Sequence, residues 1–187
     1  MVDDDGKFRC AWALGSELYR DYHDYEWGRP VHGRDALYER VCLEAFQSGL
    51  AWITILRKRP AFRDAFAGFD VERVARFTDA DSERLMADAG IVRNKAKIAA
   101  TIRNARAVLD LDVDLDELLW SFAPEGTRTR PVEMADVPAV TPESKAMAKE
   151  LKRRGFAFVG PTTAYALMQA TGMVDDHLAR CWVPTAS

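Results

Sequence analysis

Cysteine and histidine are scarce in this chain, three of each in 187 residues, and the scarcity excludes several classes of protein. An odd, small cysteine count argues against a disulfide framework and for a reducing, cytoplasmic setting. Cys42 lies in an apolar helical stretch, where a buried thiol is the default. No apolar run is long enough to cross a bilayer, and the acidic opening Met-Val-Asp-Asp-Asp-Gly-Lys does not suit a secretory signal, so no membrane partner is expected. Strand-like alternation is missing, as is any repeat beyond a loose likeness between two helix–turn–helix units. Positive charge is not in surplus either. The formal net charge of −3 does not by itself announce a nucleic-acid binder. What remains is 48% hydrophobic and 29% charged residues, the proportions of an ordinary globular domain. The length suits one domain, 1–187, with a core of its own, and a monomer is expected.

The punctuation that is present is helical. Asp35 or a neighbour caps a helix running to about Ser48, with Leu37, Val41, Cys42 and Ala45 on its inner arc and Gly49 ending it. Glu44 falls at the border of that arc and reads as a boundary carboxylate that reaches water. Phe69-Asp70-Val71 opens a short helix to Arg76. Thr78 and Asp81 form a capping-box pattern for a helix that Gly90 stops. Asn94 caps a long helix carrying Ile98, Ile102, Ala105 and Leu109, and another follows Asp114. Residues 123–140 read as a surface loop or flap. Thr141-Pro142-Glu143 starts a helix that Gly155 stops, and a last helix runs from near Thr162 to Gly172. The predicted fold class is all-α.

The few cysteines and histidines fall in two separated pairs. His177 and Cys181 are four apart and would share one face of a helix, which suits two ligands of one metal. Cys10 and His23 complete a Cys2His2 set for one Zn2+. Four protein ligands leave no open position, so such a metal staples the two ends of the chain rather than catalysing. The spacing fits equally well four separate core or surface residues. Basic residues also cluster: Arg93, Lys95, Lys97, Arg103 and Arg106, then Lys145, Lys149, Lys152, Arg153 and Arg154. Each cluster flanks a hairpin, 89–94 or 155–162, in which glycine precedes a helix N-terminus. Exposed N–H groups there suit an anion, although most such turns are plain helix corners and most charge runs are solvated faces.

Phe158-Val159-Gly160-Pro161-Thr162-Thr163-Ala164 resembles the helix–hairpin–helix of DNA base-excision glycosylases. The fuller resemblance is to the DNA-3-methyladenine glycosylase I family and spans nearly the whole chain. It is carried by Cys10-Ala11-Trp12, Tyr22 through Gly28, Cys42-Leu43-Glu44, Gly49 through Thr54, Lys152 through Gly160, and Asp176-His177 with Cys181. The resemblance implies a compact helical enzyme with one structural zinc on Cys10, His23, His177 and Cys181. It implies Glu44 as the carboxylate that contacts an extruded base, with Tyr22 and Trp52, and more weakly Tyr19 and Trp27, lining its pocket. Trp12 is read as core. It implies a DNA-backbone grip by Gly155, Val159, Gly160, Thr162, Lys152 and Arg153. The activity implied is monofunctional: release of free 3-methyladenine from double-stranded alkylated DNA, leaving an abasic site without strand cleavage. Asp175 stands where related glycosylases keep a catalytic aspartate, and is read here as a solvated N-cap. A zinc-stapled DNA-binding module without catalysis, or a zinc hydrolase, are the rival classes.

Overall fold

The computed structural model describes residues 2–126 and 128–185; Thr127, within the predicted 123–140 loop, lies outside them. The described residues are helical, with no strand beyond a single antiparallel bridge between Val2 and Phe8. A short turn of 3-10 helix, Ala11–Gly15, leads into α1 (Glu17–Tyr25), which Ser16 caps by accepting from the Tyr19 N–H. Next come α2 (Arg34–Gln47) and α3 (Trp52–Ala65). Then follow α4 (Val71–Ala75), α5 (Asp79–Ala87), α6 (Lys95–Leu109) and α7 (Leu115–Trp120). After the long connection come α8 (Pro142–Arg153) and α9 (Pro161–Ala170).

The caps sit where side-chain chemistry places them. Asp70, Asn94, Asp114 and Thr141 each accept a first-turn N–H. Two starts and stops differ from expectation. Gly33, not Asp35, precedes α2, and α5 ends at Ala87 rather than at Gly90. The Asp88 carboxylate captures the Gly90 N–H at 2.7 Å, which takes the chain out of the helix two residues early.

α2 runs through the middle of the molecule, touching α3, α6, α7 and α9, while α4 lies on α6 and α8 on α9. One continuous apolar cluster extends from Leu37 to Val174, and Phe46, Phe62, Phe66 and Phe69 form its aromatic centre. A second, smaller cluster joins the two ends of the chain, through Cys10, Leu178, Cys181 and Val183. Between them the segment 26–31 laces onto the end of α9, with Gly28 N–H on the Gln169 carbonyl and Val31 N–H on the Thr171 carbonyl. Gly172 permits this: a Cβ there would lie 2.5 Å from the backbone of Arg29, and its φ is +74°.

Candidate functional site

α1, α2, α3 and α9 converge on a cavity of about 340 Å³. Its aromatic end is built by Trp12, Tyr19, Tyr22, Trp27 and Trp52. Tyr22 lies 5.4 Å from Trp52 between ring centroids, and Trp12 meets Tyr19 and Trp27 edge-on at 5.4 and 5.0 Å. Trp12 is therefore part of the wall and not merely core. Its place in the 3-10 turn, which carries no amphipathic period, left that invisible in the sequence.

Glu44 enters this end from α2. It is buried, which overturns the boundary reading: α9, α3 and α7 cover α2 on several sides, so its inner arc is wider than the helix's own periodicity suggests. Among the described residues no donor reaches the Glu44 carboxylate. Burial pushes its pKa up to about 8, and Arg40, one turn earlier, only partly offsets this. Arg40 is already committed to Glu26, at 2.5 Å, and Arg59 grips the same carboxylate. Burial, with the Glu44 charge second, also drives the Tyr22 hydroxyl well above its ordinary pKa. Trp52 Nε1–H, also buried, finds no acceptor among the described residues.

The facing wall belongs to α9. Thr162, Tyr165, Ala166 and Gln169 recur at helical spacing along it, and Asp176 stands behind them. Tyr165 Oη donates to Asp176 Oδ2 at 2.5 Å and Gln169 Nε2 to the same oxygen at 2.9 Å. Met134, Val137, Pro138 and Ala139 of the long connection close a further side, so the predicted flap borders the cavity. Sequence reasoning missed Gln47, Tyr165, Gln169 and Asp176. Only Asp176 had a signal there, its place in the Asp-His pair.

Behind Trp27 lies the cysteine–histidine cluster, and none of its members lines the cavity. Ligand atoms of Cys10, His23 and Cys181 lie within 4.8 Å of one another, all buried. Cys181 Sγ is 3.5 Å from His23 Nε2; two ligands of a tetrahedral zinc, with bonds near 2.3 and 2.0 Å, stand about 3.5 Å apart. The neighbouring thiols shift in opposite directions: Cys10, helped by His23, draws the Cys181 thiol down, while Cys181 and burial drive Cys10 up. Both histidines have Nδ1 held by a carboxylate, His23 by Asp24 at 2.7 Å and His177 by Asp175 at 2.9 Å, the arrangement that frees Nε2 for a metal. Asp24 is itself gripped by the buried Arg9, and Asp175 by Arg130. The donor set thus fits zinc. His177 is at the margin of the trio, its ring centroid 4.8 Å from that of His23 and its Nε2 3.3 Å from the His23 carbonyl oxygen. Gly28 makes room for it, since a Cβ there would meet the ring at 2.9 Å.

The expected helix through His177 and Cys181 is absent. Ala179 N–H goes to the Pro131 carbonyl and Trp182 N–H to the Phe8 carbonyl, so the segment is a turn pinned to distant chain. Asp175 is no solvated N-cap either. It accepts from the His177 backbone N–H and pairs with Arg130, and it does not line the cavity. Burial pushes its carboxyl up, but His177 and Arg130 outweigh that and hold it down.

The hairpin 155–160 joins α8 to α9 at the cavity's mouth. α9 begins with no side-chain cap, and Gly160 and Thr162 are exposed. Asn104 of α6 braces the turn from both sides, through the Ala157 N–H at 2.8 Å and the Ala157 carbonyl at 3.1 Å. Val159 has a buried side chain, so only its main chain could meet a ligand. Lys152 and Arg153 point outward, Arg153 with a Glu150 partner at 2.7 Å. Arg154 is tied up by Glu150 and Asp112. The basic run 93–106 is largely structural. Lys97 donates to the carbonyls of Phe46 and Ser48, Arg103 to Gly155, and Arg106 to Ala75 and Phe77. In the Gly90 turn the Gly90 N–H is taken by the Asp88 carboxylate, so that one donor is not offered to an anion.

A profile of the methyladenine glycosylase family matches residues 12–184. The chain belongs to that family. It is 42% identical to the DNA-3-methyladenine glycosylase of Haemophilus influenzae over 177 residues, 92% of this chain and 96% of that protein. A crystal structure of 3-methyladenine DNA glycosylase I superposes with a TM-score of 0.90 at 43% identity, covering 94% of this chain and 98% of the other. A substituted form of such an enzyme, solved in complex with 3-methyladenine, gives 0.88 at 32% identity, with 94% and 97% covered. The family's all-helical architecture is thus shared by this chain.

Proposed function

We propose that the protein is a monofunctional DNA-3-methyladenine glycosylase of base-excision repair, acting as a single-domain monomer in the cytoplasm. It extrudes 3-methyladenine from double-stranded alkylated DNA, hydrolyses the N-glycosidic bond, and leaves free base and an abasic site. The observation that carries the reading is Glu44, a buried carboxylate without a donor in a cavity walled by aromatic rings.

A 3-methylated adenine attached to deoxyribose is a cation and a ready leaving group. Tyr22 and Trp52 offer stacking faces with cation–π attraction, Tyr19 and Trp27 extend that wall, and Glu44 pairs with the charged base and its amino group. Normal adenine, being neutral, gains less from each. Strand cleavage by a lysine Schiff base has no support among the described residues. No lysine lines the cavity, and the buried Lys97 is spent on two carbonyls. Gly155, Val159, Gly160 and Thr162 offer main-chain contacts to the DNA backbone, with Lys152 and Arg153 beside them.

Cys10, His23 and Cys181, with His177, would hold one zinc. Bound there it would clamp the two ends of the chain and supply no chemistry to the cavity, which disfavours a zinc hydrolase. Incubation with methylated duplex DNA should release 3-methyladenine and leave the strand uncut until alkali is added. Binding of DNA with no base released would favour the non-catalytic module.

A further inference from the structure

We propose that Glu26 is a positioning residue for base recognition: it holds the Arg40 guanidinium away from Glu44, so that the Glu44 carboxylate is left for the cationic base. This rests on the glycosylase reading above.

Arg40 and Glu44 stand four apart on α2, the spacing at which an arginine and a glutamate can pair across one helical turn. Both are buried. Arg40 Nη1 is buried without a hydrogen-bond partner, and among the described residues no donor reaches the Glu44 carboxylate. A donor and an acceptor left unpaired one turn apart, each at a cost, would ordinarily close on each other.

Glu26 keeps them apart. It stands at the end of α1, its backbone N–H on the Tyr22 carbonyl, and its carboxylate receives Arg40 Nη2 at 2.5 Å. Arg59 of α3 fixes the same carboxylate, with Nη2 on Oε2 at 3.0 Å. Burial pushes the Glu26 carboxyl up, but Arg59 and Arg40 outweigh that and hold it below its ordinary range, so it stays ionised. Two guanidiniums thus share one carboxylate, while Glu44 stays bare. A direct Arg40–Glu44 pair would cancel the charge that a cationic base seeks and set a guanidinium against that base.

No other cation competes for Glu44 among the described residues. Tyr19, Tyr22, Tyr165 and Asp176 share its cavity, and none of them is a base. Lys97 of α6 ends on the Phe46 and Ser48 carbonyls, Arg63 of α3 on Glu39, and Asp116 of α7 holds His32 and the Gly33 N–H. Arg40 is the cation that bears on Glu44.

The test follows kcat/KM for excision from methylated duplex DNA across pH, and the Glu44 carboxyl by carbon-13 NMR in the protein without DNA. Glu26→Gln should free Arg40 to pair with Glu44. The Glu44 midpoint should then fall by about 1 pH unit or more in both measurements, and the excision plateau by at least tenfold. Adding Arg40→Met should restore the plateau and return the midpoint to the parental value or above, which a merely structural role for Glu26 would not allow. Arg40→Met alone exchanges a buried cation for an apolar chain, and should keep the parental plateau while raising the Glu44 midpoint. An unmoved midpoint in Glu26→Gln, or a loss that Arg40→Met does not reverse, overturns the proposal. If Glu26→Gln does not fold, Arg40→Met decides alone, and an unmoved midpoint or a lost plateau there overturns it. Failure of the parent to release 3-methyladenine would instead overturn the glycosylase reading, while the NMR midpoints still judge Glu26.

Discussion

Glu44 holds its proton through a pH range in which an exposed glutamate has long since lost it, because burial raises its pKa from near 4.5 to about 8. Between those values the folded protein binds a proton that the unfolded chain does not. Stability attributable to this group therefore falls as pH rises from about 4.5 to about 8, then levels off. The full shift corresponds to an upper bound of ~5 kcal/mol. Glu44→Gln, a permanently neutral mimic, should remove this slope in denaturant titrations and leave the variant more stable than the parent at pH 8 and above. Function should move the other way. A cationic base is favoured by the carboxylate form, so kcat/KM for excision should rise with pH toward about 8 in the parent. In Glu44→Gln it should be flat and at least tenfold lower. A variant matching the parent's rate and pH profile would sink the recognition mechanism.

The hairpin shows how differently members of one basic run behave once helices are in place. Removing charge at Lys152 should lower the slope of log affinity against log salt by about 1, equally for any DNA sequence. Arg154→Ala should leave that slope unchanged, because its guanidinium is held by Glu150 and Asp112. Equal effects of the two in salt titrations would contradict the backbone grip. The same contrast marks what was legible in sequence. Caps are local chemistry, so Asn94, Asp114 and Thr141 announced α6, α7 and α8 within a residue. α3 was not legible: it opens on Trp-Ile-Thr-Ile, lacks a side-chain cap and contains Pro60, and its face is set by contact with α1 and α2. α1 has a capping serine and a distinct apolar face, but at nine residues it is too short to hold its helix without its neighbours. Of the cavity, Glu44, Tyr22 and Trp52 came through family likeness. The α9 wall depends on how that helix faces α2, which local pattern does not encode.

At the scale of the molecule, the two ends of the chain meet in a separate apolar cluster seeded by Cys10 and Cys181. A metal held there closes a loop of nearly the whole sequence, so its loss acts on the unfolded chain's freedom as well as on local contacts. Cys181→Ser is expected to lower Tm by ~10 °C or more. A strong chelator should bring the parent down to the same value, and elemental analysis should find one zinc per chain before chelation. A parent that is metal-free, folded and indifferent to chelator would remove zinc from the account.

Trp27 touches both territories, lining the cavity on one side and meeting the His177 ring at 4.7 Å on the other. Tryptophan emission from this protein is therefore an ambiguous gauge. A base stacked against the wall and a disturbance among the thiols and imidazoles both alter the surroundings of one indole. An optical titration reports occupancy alone only when the state of the far cluster is held constant.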